Sequence, residues 1–273
     1  MVFTAVAYSL DGRWLAGGQI KLDHKKKIKK EGYESHQLFY FGEVLIWDAA
    51  TGELKATLND ENHQAWALTF SPDGKFLAVG SGPIVDDEKN CKDLCQGYGG
   101  VLLWETSSWK PPRRLKGNSA LIFSLAFSPD GRFVAGGADG VGLRDKLEMM
   151  QNPDVNKEQE KIEIIVWDAV TGDRVKSMTG HTKTITAIAF SPDGNWLVST
   201  GKDHLLNIWN GRTWEFANVI PVYPLPGALM GLLSGKSKEY QGVRLPLQFV
   251  WLNAIVFTPG SQELIGGGND GFI

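Results

Sequence analysis

The sequence has only two cysteines in 273 residues, and no long uninterrupted run of apolar residues. Two cysteines cannot supply the disulfide framework that small secreted domains use, and a membrane-spanning helix needs about 18 or more consecutive apolar residues. Basic residues are not in excess either, because the formal net charge is −3. Proteins that bind nucleic acid or membrane surfaces usually carry a basic excess, so we expect neither kind of partner.

Motifs for catalysis and phosphate binding are also missing. The sequence contains no His-Glu-x-x-His zinc motif, no Gly-x-Ser-x-Gly nucleophile turn and no glycine-rich phosphate loop. The histidines form no recognisable ligand set, and the amino terminus shows neither a basic segment nor a cleavage site. We therefore expect a protein that is not an enzyme, binds no cofactor and resides in the cytoplasm.

The two cysteines, Cys91 and Cys95, lie in an acidic segment. A pair at this spacing can close a small disulfide loop in an oxidising compartment or give two thiolates to zinc. No second pair of cysteines or histidines accompanies them in the sequence, so a complete metal site is not supported. We expect free thiols in a reducing cytoplasm and no metal.

A repeated pattern is present instead. An apolar strand, a tight turn and two further strands recur four times, and the last strand ends in tryptophan. The four turns read Ser-Pro-Asp-Gly, or Ser-Leu-Asp-Gly in the first copy, and begin at Ser9, Ser71, Ser128 and Ser191. The tryptophans are Trp47, Trp104, Trp167 and Trp209, and a degenerate fifth turn begins at Thr258. Proline presets the turn and glycine tolerates positive φ, so the pattern predicts repeated antiparallel sheets.

Spacing shows where extra residues have accumulated. Each of the first three tryptophans is followed 27 residues later by the glycine of the next turn, since 74 − 47, 131 − 104 and 194 − 167 are all 27. From turn glycine to tryptophan within a repeat, the counts vary: 47 − 12 = 35, 104 − 74 = 30, 167 − 131 = 36 and 209 − 194 = 15. We name the four strands of a repeat a, b, c and d. The first three repeats are longer than the fourth between the turn glycine and the tryptophan, and we assign these three insertions to the connections between strands b and c. A fourth insertion, at 217–252, lies in the connection between strand d and the next strand a.

The repeats resemble the WD40 family over nearly the whole chain. The fourth repeat matches the family pattern best, with Gly180-His181 before strand a, Asp203 before strand c, and Trp209 at its end. The resemblance implies a β-propeller. It also implies that His181, Ser199, Asp203 and Trp209 form a hydrogen-bonded structural set. Other repeats depart from the pattern, because Asn118 and Glu61 stand where the histidine is expected.

We therefore predict an all-β fold with four four-stranded blades and an incomplete fifth, forming part of a larger ring. The chain is expected to be one propeller domain. Its predicted blades cover residues 1–62, 63–119, 120–182, 183–250 and 251–273. A fragment of a longer propeller is favoured over a closed five-bladed ring.

An up-and-down blade places the b–c and d–a connections at one end, so all four insertions are expected on a single face. Long loops on a rigid scaffold commonly carry recognition. We predict that this face binds a protein or peptide. Charged contacts are expected from Lys25, Lys26 and Lys27 and aromatic contacts from Tyr40, Trp66, Phe123 and Trp251. A solvated lysine-rich loop and simple tolerance of insertions remain alternatives.

Two other functions are considered. A propeller enzyme or small-ligand binder would place its site in the central channel, and a sensory module would belong to a larger signalling protein. The first residues of the a strands, expected near the channel, are Thr4, Trp66, Phe123, Thr186 and Asn253. This set has no carboxylate or imidazole, which disfavours an enzyme.

Overall fold

The computed structural model describes residues 2–30, 33–59, 63–83, 99–116, 121–138, 162–222, 252–260 and 263–268. All the regular secondary structure in these ranges is β-strand. The described part of the chain accordingly holds no helix that is long and apolar enough to cross a membrane. The strands divide into two compact units, β1–β8 and β9–β18, with the boundary at Ile122 and Phe123.

The first unit contains two four-stranded antiparallel sheets, each in sequential strand order. Blade 1 consists of β1 (Val2–Tyr8), β2 (Trp14–Lys30), β3 (Tyr33–Asp48) and β4 (Leu54–Leu58). Blade 2 consists of β5 (His63–Phe70), β6 (Phe76–Pro83), β7 (Gly100–Glu105) and β8 (Arg113–Arg114). The four strands of each blade are strands a to d in that order.

The second unit contains two more four-stranded sheets and one sheet of two strands. Blade 3 consists of β9 (Ile122–Phe127), β10 (Phe133–Ala138), β11 (Glu163–Asp168) and β12 (Arg174–Thr179). Blade 4 consists of β13 (Ile185–Phe190), β14 (Trp196–Gly201), β15 (Leu205–Asn210) and β16 (Phe216–Pro221). Blade 5 consists of β17 (Leu252–Phe257) and β18 (Leu264–Gly268). The predicted all-β class, with four complete blades and an incomplete fifth, is confirmed. The single-domain assignment stays a prediction.

The blades pack face to face within each unit. Where two blades of a unit pack together, the earlier blade contributes what we name its second face, and the later blade contributes its first face. In the first unit, the second face of blade 1 buries Ala16 and Ile46 against Phe70 and Leu77 of blade 2. In the second unit, Ile164 and Val166 of blade 3 pack against blade 4 in the same way. Blade 4 covers Leu252 and Leu264 of blade 5.

The first insertion differs from the lysine-rich loop considered above, because its backbone continues the sheet. Strands β2 and β3 are 17 and 16 residues long and pair from Trp14 with Asp48 out to Lys30 with Tyr33. The ladder satisfies backbone donors and acceptors that an irregular loop would have to leave to water. The insertion is therefore an extended hairpin at the b–c end of blade 1.

The a–b turns share one hydrogen-bond pattern. In the second turn, Ser71 donates its hydroxyl to Asp73 Oδ1 over 2.7 Å, and the same carboxylate oxygen accepts the backbone N–H of Lys75 at 3.1 Å. The hydrogen bond from Ser71 is the main reason that the pKa of Asp73 falls to about 2. The pKa of the equivalent carboxyl is also lowered at Asp11, Asp130 and Asp193.

These turns predict loss of stability in acid. A lowered folded-state pKa stabilises the protein above the unfolded-state pKa of about 4, and the stabilisation disappears as pH falls through the folded-state value. We expect the free energy of unfolding to decline between about pH 4 and pH 2, and the Asp73→Asn variant to show a shallower decline. Denaturant unfolding at a series of pH values measures this. An unchanged slope in Asp73→Asn would contradict the assignment.

The c–d turns alternate along the chain. Gly52 and Gly172 occupy the left-handed position in blades 1 and 3, with φ of 72° and 76°. In blades 2 and 4 the same position holds Trp109 and Trp214, with φ of 49° and 62°. A non-glycine residue rarely adopts this conformation unless other contacts stabilise it.

Both tryptophans pack back onto the preceding blade of their own unit. Trp109 meets Trp14 edge-on with ring centroids 5.7 Å apart. Trp214 meets Phe133 in the same geometry at 5.3 Å, and Phe190 at 6.1 Å. The buried aromatic contacts therefore hold these turns in a strained backbone conformation and join blades in pairs.

Candidate functional site

The first strand of a blade carries an irregularity at a recurring position. The ladders of β1, β5, β13 and β17 with their neighbours are interrupted by a β-bulge after the first, second or third residue of the pairing. The residues skipped by the pairing are Thr4, Trp66, Thr186 and Asn253. A bulge turns one side chain out of the regular alternation, and such features are common beside binding sites.

The bulged threonines connect neighbouring blades within a unit. Thr4 of blade 1 donates its hydroxyl to the backbone carbonyl of Ala65 in blade 2. Thr186 of blade 4 donates to the carbonyl of Leu252 in blade 5 over 2.5 Å. At these two positions the bulged side chain has a structural role, because it forms a hydrogen bond to the next blade.

The aromatic candidates lie at this end of the sheets. Trp66 is the bulged residue of β5 and Phe123 is the second residue of β9, and both are partly exposed. Strand a begins at the same end of a blade as the b–c connection, because the four strands run alternately up and down. The third aromatic candidate, Trp251, lies outside the described residues.

The basic candidates lie on the extended hairpin of blade 1. In the backbone ladder Lys25 pairs with Leu38, Lys26 with Gln37 and Lys27 with His36, and Tyr40 pairs with Leu22. The hairpin therefore carries three consecutive lysines beyond the part of the sheet that packs against blade 2. The segment with Cys91 and Cys95 lies outside the described residues. Among the residues that are described, no group of three His, Cys, Asp or Glu side chains is arranged to hold a metal ion.

In blade 4 the structure brings together the four residues of the predicted hydrogen-bonded set, His181, Ser199, Asp203 and Trp209. Asp203 accepts a hydrogen bond from His181 Nδ1 at 2.9 Å, and Ser199 Oγ lies 2.8 Å from His181 Nε2. Trp209 Nε1 donates to the same Ser199 oxygen over 3.0 Å. The indole N–H can only donate, so Ser199 Oγ is the acceptor in this contact. The Asp203 carboxylate can only accept, so Nδ1 of His181 carries the proton of their hydrogen bond.

Asp203 terminates this chain of hydrogen bonds. Burial disfavours its charge, but the hydrogen bond from His181 and those from the backbone N–H groups of Thr182 and Leu205 outweigh it, so the pKa of Asp203 is lowered. The carboxylate links strand a, through the segment that precedes it, to the b–c turn. The set therefore braces blade 4 and has no open position for a substrate.

Other blades lack the central hydroxyl of this set. The residues equivalent to Ser199 are Gly17, Val79, Gly136 and Gly266. In blade 1, Phe3 and Trp47 lie on either side of Gly17, with ring centroids 6.3 Å apart. Comparison of the repeats in the sequence alone could have shown this substitution pattern, because the turn motifs fix the alignment of strand b.

Comparison with known families agrees with these features. A family model described as "WD domain, G-beta repeat" matches residues 52–87, 109–141 and 172–210. The chain is a WD40-repeat protein. Each match begins at the c–d turn of one blade, so the WD40 sequence repeat combines strand d of that blade with strands of the next blade.

Several curated proteins are similar to this WD40 chain. A WD repeat-containing protein SL1-17 of Schistosoma mansoni is 26% identical over 62% of this chain and 44% of its own length. Protein HIR1 of Cryptococcus neoformans is 26% identical over 77% of this chain and 21% of its own length. The anaphase-promoting complex subunit cdc20 of Dictyostelium discoideum is 25% identical over 63% of this chain and 28% of its own length. The chain thus spans less than half the length of these relatives.

A solved structure supports the WD40 fold. A chain in the crystal structure of the mitotic checkpoint complex is similar with a TM-score of 0.60 and 17% identity. The similarity covers 97% of this chain and 56% of that chain. At this level of identity the comparison establishes the fold alone.

Proposed function

We propose that this WD40 protein is a non-enzymatic scaffold that binds a protein or peptide where its a strands begin and its extended b–c connections emerge. The observation that carries the proposal is the recurring β-bulge in strand a. The bulges present side chains that the regular ladder would not, and the repeat places them at the same end of each sheet.

The chemistry of this end suits a protein partner. Trp66 and Phe123 are aromatic side chains that are partly exposed, and aromatic residues commonly dominate the energy of protein interfaces. Lys25, Lys26 and Lys27 follow one another on the extended hairpin of blade 1. Such a basic segment favours an acidic partner and sets its orientation. Tyr40 and Trp251 are proposed as further contacts.

The relatives give independent support at a coarser level. The cdc20 relative is named as a subunit of the anaphase-promoting complex, and the structural neighbour comes from the mitotic checkpoint complex. Both are components of protein assemblies. An enzyme with a central site is disfavoured because the a-strand positions Thr4, Trp66, Phe123, Thr186 and Asn253 supply no carboxylate or imidazole. A cytoplasmic location stays a prediction.

Charge reversal on the hairpin tests the proposal. The full chain is immobilised, and the proteins that it captures from a cell extract are quantified by mass spectrometry. We expect the Lys25→Glu/Lys26→Glu/Lys27→Glu variant to lose the specifically captured proteins by about tenfold or more, because each rim charge contributes to association and orientation. The aromatic variant Trp66→Ala should lose the same proteins.

The matched control variant reverses the charge at three lysine positions outside the proposed site. Lys75, Lys110 and Lys176 are exposed and lie at the a–b end or on the outer strands. The Lys75→Glu/Lys110→Glu/Lys176→Glu variant has the same net charge as the hairpin variant and should retain the captured proteins. Equal losses in both triple variants would show a nonspecific charge effect and would refute the proposed site.

A further inference from the structure

The outer strand of blade 2 is unusually basic. After the c–d turn the chain reads Pro111-Pro112-Arg113-Arg114-Leu115-Lys116, with no carboxylate among these residues. All three cations are exposed, while Leu115 is 1% exposed and anchors the strand. The outer edge of this sheet therefore presents three closely spaced positive charges.

Blades 1 and 3 show how this chain balances a cation on an outer strand. In blade 1, Lys55 forms an ion pair with Glu53, which follows the c–d turn. In blade 3, Arg174 forms an ion pair over 3.1 Å with Glu163, the first residue of strand c. A carboxylate of the same blade thus holds the outer cation in both cases.

Blade 2 has neither of these carboxylates. Counted from the tryptophan that ends strand c, Lys110 stands at the position of Glu53, and Gly100 stands at the position of Glu163. Arg114 Nη1 instead donates to the backbone carbonyl of Gly99 over 3.3 Å. A carbonyl oxygen has no net charge, so this contact leaves the net positive charge of the outer strand in place.

The edge also offers a backbone donor beside these side chains. The backbone N–H of Leu115 donates to the carbonyl of Val101 in β7 over 2.9 Å. Residues of an antiparallel edge strand direct their backbone groups alternately toward the neighbouring strand and away from it, so the N–H of Arg114 faces away from β7. Arg113 and Arg114 are consecutive in β8, and their side chains therefore lie on opposite sides of the sheet.

We propose that the outer edge of blade 2 binds an extended acidic peptide, whose carboxylates contact Arg113, Arg114 and Lys116. Guanidinium, ammonium and backbone N–H groups are all donors, and a carboxylate is an acceptor that complements them in charge. The segment 112–116 extends over about 17 Å, which matches about five residues of an extended peptide. Binding at this edge does not depend on partner binding at the b–c end.

A fluorescein-labelled decaglutamate peptide tests the proposal. Fluorescence anisotropy measures its binding to the full chain carrying Lys25→Glu/Lys26→Glu/Lys27→Glu, so that the hairpin lysines contribute no attraction. We expect this parent chain to bind the peptide, and the addition of Arg113→Glu/Arg114→Glu to weaken binding by about tenfold or more, because two attractive contacts become repulsive. Loss of all binding in the parent chain would place the peptide on the hairpin and overturn the proposal.

Single substitutions test the position of the peptide along the edge. Since Arg113 and Arg114 lie on opposite sides of the sheet, only a peptide that follows the edge contacts both. Arg113→Glu and Arg114→Glu should each account for part of the loss. An effect confined to one of them would place the peptide on a face of the sheet and would contradict binding along the edge.

The matched control is Lys176→Glu/Arg212→Glu in the same parent chain. Both residues are exposed and lie outside blade 2, and the control has the same net charge as the double arginine variant. It should bind decaglutamate as tightly as the parent chain does. An equal loss in the control would show a general attraction to charge and would refute the site.

Carbodiimide coupling gives a second readout of the site. The reagent joins a lysine amine to a carboxylate in contact with it, and mass spectrometry of the digested product identifies the lysine. We expect Lys116 to be coupled to decaglutamate in the parent chain, and this coupling to disappear in Arg113→Glu/Arg114→Glu. No coupling at Lys116, or tighter binding of single-stranded DNA than of decaglutamate, would overturn the proposal.

Discussion

Replacing Trp214 by alanine is expected to lower the free energy of unfolding by about 4 kcal/mol, and replacing it by glycine by about 3 kcal/mol. Trp214 is buried and packs edge-on against Phe133 and Phe190. Both substitutions remove these contacts and leave a cavity. Glycine alone also relieves the left-handed backbone, since φ at this position is 62°.

The glycine variant is expected to be more stable than the alanine variant. Denaturant unfolding, followed by circular dichroism, compares Trp214→Gly with Trp214→Ala. Blades 1 and 3 already use glycine at this position, so the turn itself tolerates the change. If the alanine variant were as stable as the glycine variant, the tryptophan would not be strained. If both variants matched the wild type, the contact with Phe133 would not join blades 3 and 4.

Replacing Asp203 by alanine is expected to cost about 3 kcal/mol of unfolding free energy. The substitution leaves the buried His181 Nδ1 without its acceptor, and the exposed backbone N–H of Thr182 loses the same carboxylate. Asp203→Asn keeps one acceptor oxygen but loses the charge, and should cost about half as much. Ser199→Ala should also destabilise, because Trp209 Nε1 and His181 Nε2 both lose a partner.

Two measurements check this prediction. Denaturant unfolding gives the loss in stability, and Asp173→Ala is the control, because Asp173 is an exposed aspartate in the second unit. Nitrogen chemical shifts of His181 report which ring nitrogens carry a proton, and the hydrogen bond to Asp203 predicts a proton on Nδ1. An Nδ1 without a proton would contradict that hydrogen bond. A loss for Asp203→Ala no larger than for Asp173→Ala would contradict the bracing role.

The sequence was sufficient for the fold class because its signals are local. Each Ser-Pro-Asp-Gly turn positions one hairpin, and the terminal tryptophan of strand c is buried in blades 2, 3 and 4. The constant spacing between copies then fixes the order of strands. The fourth-repeat residues His181, Ser199, Asp203 and Trp209 could be named because the family pattern is nearly intact there.

Other features depend on pairing between distant residues and could not be seen beforehand. The bulges at Thr4 and Thr186 follow from the register of two strands, which composition does not reveal. The lysine-rich segment lacks strong strand formers at Lys25–Lys27, yet its partner strand contains Leu38 and Tyr40 and completes the ladder. The left-handed conformation of Trp214 likewise arises from tertiary contacts with aromatic rings.

The offset between sequence repeat and sheet has a consequence for evolution by duplication. A unit such as 172–210 starts with β12, the outermost strand of blade 3, and continues through the inner three strands of blade 4. Gain or loss of one such unit replaces an outer strand with an equivalent one, so no sheet is left short. A duplication or deletion of one such unit by recombination therefore leaves the number of strands in the flanking sheets unchanged.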